Sequence, residues 1–274
     1  MIPFDRDAVL DILFDAETNL TARAYIRRIA QTLSLSPRQA KQVLKSLVDD
    51  QTLAYQDLYG STYVMQSFSK PVRITDRFFI VPPGISHKAG AGRFDIRIFQ
   101  GISFGSGHHP TTRLCLQAIE HLFFNMPDAS GLAGGRAGDI GTGSGILAIA
   151  VCLAGMASCR AWEIDANAVS EARRNIAANH LDSRITVIDD LMAPDPPMLS
   201  LVCANLRLPT LKQVAPLVAA VVAPGAALIF SGIRTWEKAE LISHYREAGF
   251  KRRWDRDEKN WSAVIFTAAA LPPL

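Results

Sequence analysis

Apolar positions recur at helical spacing three times in the first fifty residues. They fall at 9, 10 and 13 in VLDILF, at Ala22, Ile26, Ile29 and Leu33, and at Ala40, Val43, Leu44 and Leu47. Three short helices are predicted. The third opens at Ser36-Pro37-Arg38-Gln39, where Ser36 serves as N-cap, Pro37 fits the first helical position and Gln39 completes a capping box. Only LSLS separates it from the helix before. TLAYQD and STYVMQ, rich in Tyr, Thr and Val around a LYG turn, predict a hairpin. In this order the elements describe a winged-helix-like module over residues 1–66.

The pattern then changes. PVRITDRFFIVPPG and RFDIRIFQ follow, with Phe94, Ile96 and Ile98 alternating with Asp95 and Arg97, which predicts a small β connector over 67–105. Beyond it a helix over Pro110–Phe124 precedes strands near 136–140, 159–164, 185–188, 200–204 and 226–231, with helical patterns between them. That alternation predicts an α/β domain over 106–274 built on a doubly wound parallel sheet. The last two segments, KRRWDRD and WSAVIFTA, are joined by a turn too short for a crossover, so they must pair antiparallel.

Composition narrows the class. A chain of 274 residues with 49% hydrophobic content can bury a large domain and a small one. The longest apolar runs, ILAIAVCLAG and PLVAAVVAPGAALIF, are too short or too broken to span a bilayer, and MIPFDRDAVL lacks a signal-peptide pattern. A cytoplasmic location without a membrane partner is therefore expected. Cys115, Cys152, Cys159 and Cys203 are scattered and read as buried thiols, without a disulfide or zinc pattern. Arg38, Lys41, Gln42 and Lys45 share one face of the third helix, where a nucleic-acid reader would carry its contacts. Residues 1–66, however, hold seven Lys/Arg against eight Asp/Glu, and a DNA-binding module is usually basic. Nucleic acid is disfavoured as a partner without being excluded.

The candidate chemistry begins at DIGTGSGIL, residues 139–147. Gly141, Gly143 and Gly145 are spaced G-x-G-x-G, and Ile146 stands where a dinucleotide fingerprint has its third glycine, so the match to NAD is poor. An acidic residue for ribose hydroxyls is due about 20 residues on, and AWEID supplies Glu163. Adenosine with an amino-acid tail in place of phosphates suits this set: glycines allow close backbone approach, and the helix N-terminus favours a carboxylate. S-adenosyl-L-methionine has that composition.

Further motifs make a resemblance specific. FGSGHHPTT (104–112), DIGTGSGILAIA, EIDANAVSEARRNIAAN, CANL, APGAALIFSGI and the late Trp261 occur in the order found in PrmA-type methyltransferases. These modify lysine side chains and the N-terminal amine of a ribosomal protein, large-subunit protein eleven. The resemblance, over about residues 68–267, implies a seven-stranded class I methyltransferase sheet with a final antiparallel strand. It also implies that Phe104, His109, Thr111 and Thr112 fold across the cofactor and that the three glycines cradle its methionine tail, with Asp139 beside them among the cofactor-binding residues. By the same resemblance Glu163 would take the ribose, Asp190 the adenine amine, and Asn205 would face the transferable methyl as the catalytic residue.

Three departures stand out. Ala137 and Gly138 occupy the first strand where the family has bulky aliphatics, leaving the sheet centre to be filled from elsewhere, with Trp162 as candidate. Arg207 replaces an apolar residue, and the N-terminal module differs from the family's ferredoxin-like substrate domain. The leading expectation is a methyltransferase acting on an amine of a protein, with residues 1–66 recruiting the target. The alternatives are a winged-helix regulator with a nucleotide-sensing domain, or a methyltransferase acting on nucleic acid or a small molecule.

Overall fold

A computed structural model describes residues 4–14, 16, 18–58, 60–99, 101, 104, 105, 107, 109–126, 131–193 and 198–268. It divides into two compact units, Met1–Lys70 and Pro71–Leu274.

The first unit contains helices α1 (Arg6–Phe14), α2 (Ala22–Thr32) and α3 (Pro37–Asp49), followed by an antiparallel hairpin of β1 (Leu53–Leu58) and β2 (Ser61–Gln66). The apolar positions that set the helical period form its core: Val9, Leu13, Ile29, Val43, Leu44 and Leu47 are all buried. Tyr25 is also fully buried, and its hydroxyl donates to Val9 O at 2.7 Å, satisfying the one polar atom it carries inside. Ser36 and Gln39 form the capping box at the start of α3. Arg38, Lys41, Gln42 and Lys45 are exposed, and Lys45 pairs with Asp49 one turn along the same helix. Exposed i,i+4 pairs of this kind contribute only about 0.2–0.5 kcal/mol.

The second unit opens with a three-stranded sheet of β3 (Val72–Arg73), β4 (Phe78–Val81) and β5 (Phe94–Arg97). It is tied into the larger fold rather than left as a linker. Arg77 N donates to Glu120 on α4 (Pro110–Glu120) at 2.8 Å. The backbone of Arg97 both donates to and accepts from the Asn179 side chain, just past α6 (Ala166–Ala178). The main sheet has seven strands: β6 (Arg136–Ile140), β7 (Ser158–Glu163), β8 (Ile185–Asp189), β9 (Leu199–Asn205), β10 (Val222–Arg234), β11 (Phe250–Glu258) and β12 (Trp261–Ala268). Their order is β11-β12-β10-β9-β6-β7-β8. β6 to β10 run parallel, and β12 is antiparallel to both its neighbours. Strand order reverses at β6, which has β7 on one side and β9 on the other. The crevice at such a reversal, outside the carboxyl ends of the strands, is where open α/β sheets bind ligands.

α5 (Ile146–Ala154) follows β6 and is buried from Ile146 to Cys152, which explains its unbroken apolar sequence. Gly138 has no side chain because its neighbours occupy the space. A Cβ there would lie 2.8 Å from Leu199 Cδ1 and 2.9 Å from Trp162 Cζ3, so Trp162 fills the sheet centre together with Leu199. The helix expected over Pro110–Phe124 is α only to Glu120 and widens to a π turn over His121–Asn125. In the widened turn His121 stacks on Trp254 and Phe124 on Phe94, two partners on different elements. Among the described residues no helix is long and apolar enough to cross a membrane. All four cysteines are free and buried.

Candidate functional site

The turn from β6 into α5 is built from glycines because backbone meets backbone there. Gly141, Gly143 and Gly145 have φ of 68°, 55° and 83°, a region costly for residues with a Cβ. A Cβ on Gly143 would also lie 2.6 Å from the carbonyl oxygen of Phe104, and one on Gly141 2.7 Å from Leu206 Cδ2. Phe104 and Gly105 of the FGSGHHPTT motif lie directly on this loop. Ser144 N donates to Phe104 O at 2.9 Å, and Ser144 Oγ donates to Gly105 O at 3.0 Å. Ser106 and His108 of the same motif lie outside the described residues.

Beside the loop opens a cavity of about 690 Å³ at the carboxyl ends of β6, β7, β8 and β9. Phe104, Thr112, Gly141, Gly143, Glu163, Asp190 and Asn205 line it. Glu163 ends β7, and its carboxylate accepts from Gly143 N at 2.9 Å, Ile164 N at 2.8 Å and Asp165 N at 3.1 Å. Asp190 follows β8 and accepts from Leu191 N at 2.6 Å. Asn205 ends β9. Its side-chain oxygen is buried and has no hydrogen-bond partner, and the buried Thr112 hydroxyl is in the same condition. Buried polar atoms are nearly always satisfied, so two orphans on one cavity wall point to a missing polar partner.

The remaining expected residues do not line the cavity. Gly145 turns the chain into α5. His109 caps α4, with Nδ1 accepting from Thr111 N at 3.3 Å and lying 2.8 Å from Thr111 Oγ1. Thr111 is itself fully buried. The His109 ring packs against Phe104 (centroids 5.0 Å apart) and edge-on to Trp261 (4.7 Å), and the Arg234 guanidinium lies 3.7 Å from the Trp261 ring centre. Burial first, then the Arg234 charge, pushes the His109 pKa down to about 4, so the ring is neutral near pH 7.

Asp139 is buried beneath the loop, where one carboxylate oxygen accepts from Thr142 Oγ1 at 2.6 Å and Ala148 N at 3.2 Å, while the other has no partner. Burial raises its pKa to about 6, opposed by those two donors and assisted by the Glu163 charge. Asp139 therefore anchors the loop from behind.

Sequence reading passed over Ser144, Leu206 and Asn175. Asn175 is 1% exposed, donates to Ser144 O at 2.8 Å and accepts from Phe99 N at 2.9 Å. A signal existed: RRNIAAN repeats Asn at four-residue spacing in a helix, where Asn is a poor former without a partner.

The wider family is consistent with this geometry. The family model described as ribosomal protein L11 methyltransferase (PrmA) matches residues 6–269, reaching further toward the N-terminus than the motifs alone. Relatives named ribosomal protein L11 methyltransferase include one from Geotalea uraniireducens, 34% identical over 73% of this chain and 65% of its own length. Another, from Thiobacillus denitrificans, is 35% identical over 80% of this chain and 69% of its own. A third, from Exiguobacterium sp., is 30% identical over 92% and 81%. The chain thus spans just under two thirds of the Geotalea protein. The crystal structure of ribosomal protein L11 methylase from Lactobacillus delbrueckii subsp. bulgaricus superposes with a TM-score of 0.64 at 24% identity, covering 73% of this chain and 99% of that one, and shares the class I methyltransferase fold. Glycine turn, acidic strand end and post-strand Asn thus occur in a chain that the family model matches almost throughout, and the chain belongs to the ribosomal protein L11 methyltransferase (PrmA) family.

Proposed function

We propose that this protein transfers a methyl group from S-adenosyl-L-methionine to amines of a protein, the ribosomal protein L11 for which its relatives are named. The observation that carries the reading is the buried, unpartnered side-chain oxygen of Asn205 on the wall of a cavity floored by the glycine turn. The cavity volume of about 690 Å³ lies in the range of cofactor sites. The glycine turn, with no space for a Cβ at Gly141 or Gly143, suits the amino-acid tail. Glu163 would hold the ribose hydroxyls and Asp190 the adenine amine. Bound there, the sulfonium supplies an electrophilic methyl with a good leaving group.

The chain's own task is to present a neutral amine and exclude water. For a lysine, deprotonation near pH 7 costs about 4.6 kcal/mol, and an apolar, partly closed cavity favours the neutral form. Asn205 Oδ1 accepts an N–H of the amine and turns its lone pair toward the methyl without competing as a nucleophile. His109 does not act as the base: with a pKa near 4 it binds a proton too weakly, and its Nδ1 is engaged by Thr111. Its ring supports Phe104 and Trp261 instead. The amine proton leaves to solvent before transfer.

Residues 1–66 act in this reading as a winged-helix-like module that recruits the target, in the cytoplasm. The test is incubation of purified protein with L11 and isotopically labelled cofactor, followed by mass spectrometry. Mass gain on lysines or the N-terminus is expected. Absence of transfer to L11, with labelling of nucleic acid or a metabolite instead, overturns the reading. Charge reversal at Arg38, Lys41 and Lys45 should leave L11 methylation unchanged; tight, salt-dependent DNA binding abolished by those changes would favour a regulator.

A further inference from the structure

Three features outside the proposed chemistry invite explanation: a second cavity rimmed by Arg246 and Lys251, the Arg234–Trp261 stack, and the buried side chain of Asn175. The last carries the argument furthest, because every polar atom it has is accounted for and each contact touches a different part of the site.

Ser144 sits between two residues of positive φ, Gly143 at 55° and Gly145 at 83°. Glycine on either side of Ser144 removes a steric barrier that normally keeps such a turn in one conformation. Something else must hold it. Ser144 N is fixed by Phe104 O, and Gly145 N by Thr142 O at 2.9 Å. Ser144 O is fixed by the Asn175 amide at 2.8 Å. The carbonyl oxygen of the same Asn175 takes Phe99 N, at the end of the connector that leads into the Phe104 segment. Asn179 makes the comparable connector contact, to Arg97 N and O, and its amide also donates to the Asn175 backbone oxygen at 2.7 Å, without touching the loop.

We propose that Asn175 is a positioning residue for cofactor binding: through Ser144 O and Phe99 N it holds the glycine turn and the end of the connector at Phe99 in one register, so the cradle is set before the cofactor arrives. This rests on the methyltransferase reading above. Preset donors cost no reordering on binding, so losing them lowers affinity even when no ligand contact is removed.

The two asparagines separate loop positioning from connector attachment. Asn175→Asp keeps an oxygen for Phe99 N but sets an acceptor against Ser144 O. Asn179→Leu removes the connector contact and one bond to the Asn175 backbone, and leaves both side-chain bonds of Asn175 in place. Calorimetry with S-adenosylmethionine, at a temperature where circular dichroism shows every variant folded, should give a roughly tenfold weaker Kd for Asn175→Asp and a change under about twofold for Asn179→Leu. KM for the cofactor should rise in parallel, with kcat at saturation closer to the parent. Hydrogen exchange on the ligand-free protein should show faster exchange over residues 140–147 in Asn175→Asp alone, a readout independent of any cofactor. Asn175→Ala serves where the aspartate variant does not fold. Equal affinity and equal loop exchange in parent and Asn175 variants, or an equal loss in Asn179→Leu, overturns the inference. A parent protein that binds no S-adenosylmethionine overturns the methyltransferase reading instead, and the exchange data still decide whether Asn175 holds the loop.

Discussion

Replacing Gly143 by alanine tests how tightly the site is built. The residue has a φ of 55°, which costs an L-residue roughly 1–2 kcal/mol. Its new Cβ would stand 2.6 Å from Phe104 O, about 0.7 Å inside an ordinary carbon–oxygen contact. Phe104 must retreat, and the bond from Ser144 N to Phe104 O, 2.9 Å long, is stretched or lost, at about 1 kcal/mol. The total is about 2–3 kcal/mol. Gly249→Ala is the matched control: its φ is 90°, and an added Cβ meets nothing within 4 Å, so it bears the backbone cost alone. Urea unfolding followed by tryptophan fluorescence should rank Gly143→Ala below Gly249→Ala by about 1 kcal/mol. Calorimetry should show S-adenosylmethionine affinity reduced only in Gly143→Ala, because Phe104 forms a wall of the cavity and Gly143 N orients Glu163. Equal stability of the two variants, with unaltered affinity in both, would refute the close approach of the Phe104 segment to the loop.

Other consequences follow from the same geometry. Asn205→Ala should leave cofactor affinity nearly intact and lower turnover, because its oxygen acts on the acceptor amine; parallel losses in Kd and kcat would contradict that role. Glu163→Ala should weaken cofactor binding by roughly 1.5–3 kcal/mol in titration, as expected for hydrogen bonds to a charged group, and unchanged affinity would place the ribose elsewhere. Asp139 has a native pKa of about 6 against an ordinary 3.8, so the folded state holds its proton longer than the unfolded chain. Stability is therefore full below the ordinary value and declines as pH rises through the native one, by on the order of 3 kcal/mol; urea melts across that window should show the decline flattened in Asp139→Asn. His109, shifted the other way to about 4, should contribute no limb near its ordinary 6.5 to the pH–rate profile, and an imidazole limb there would show that the ring is charged in the working enzyme.

Much of this protein is determined locally, and the sequence alone was enough for that part. Periods of 3.6 and 2, the Ser36 capping box, and the short turn before Trp261 specified the order of elements, the parallel sheet and its antiparallel end, because each depends on residues close in the chain. Motif order also picked out Gly141, Gly143, Glu163 and Asn205, which line one cavity in the fold.

What the sequence left open depends on neighbours far away in the chain. Thr111 and Thr112 are adjacent and both fully buried, yet successive residues on a helix turn by about 100°, so Thr112 meets the cavity while Thr111 meets His109. Asp139 stands at the start of the glycine motif, and packing buries it beneath the loop with Thr142 and Ala148 as its donors. The neutral state of His109 arises from burial and from Arg234, 125 positions away in numbering. The tie between Asn175, Ser144 and Phe99 joins three segments that only the folded sheet brings together. Burial and long-range hydrogen bonding are properties of the assembled chain, so the tertiary structure alone decided which members of the motifs reach the cavity and which support it.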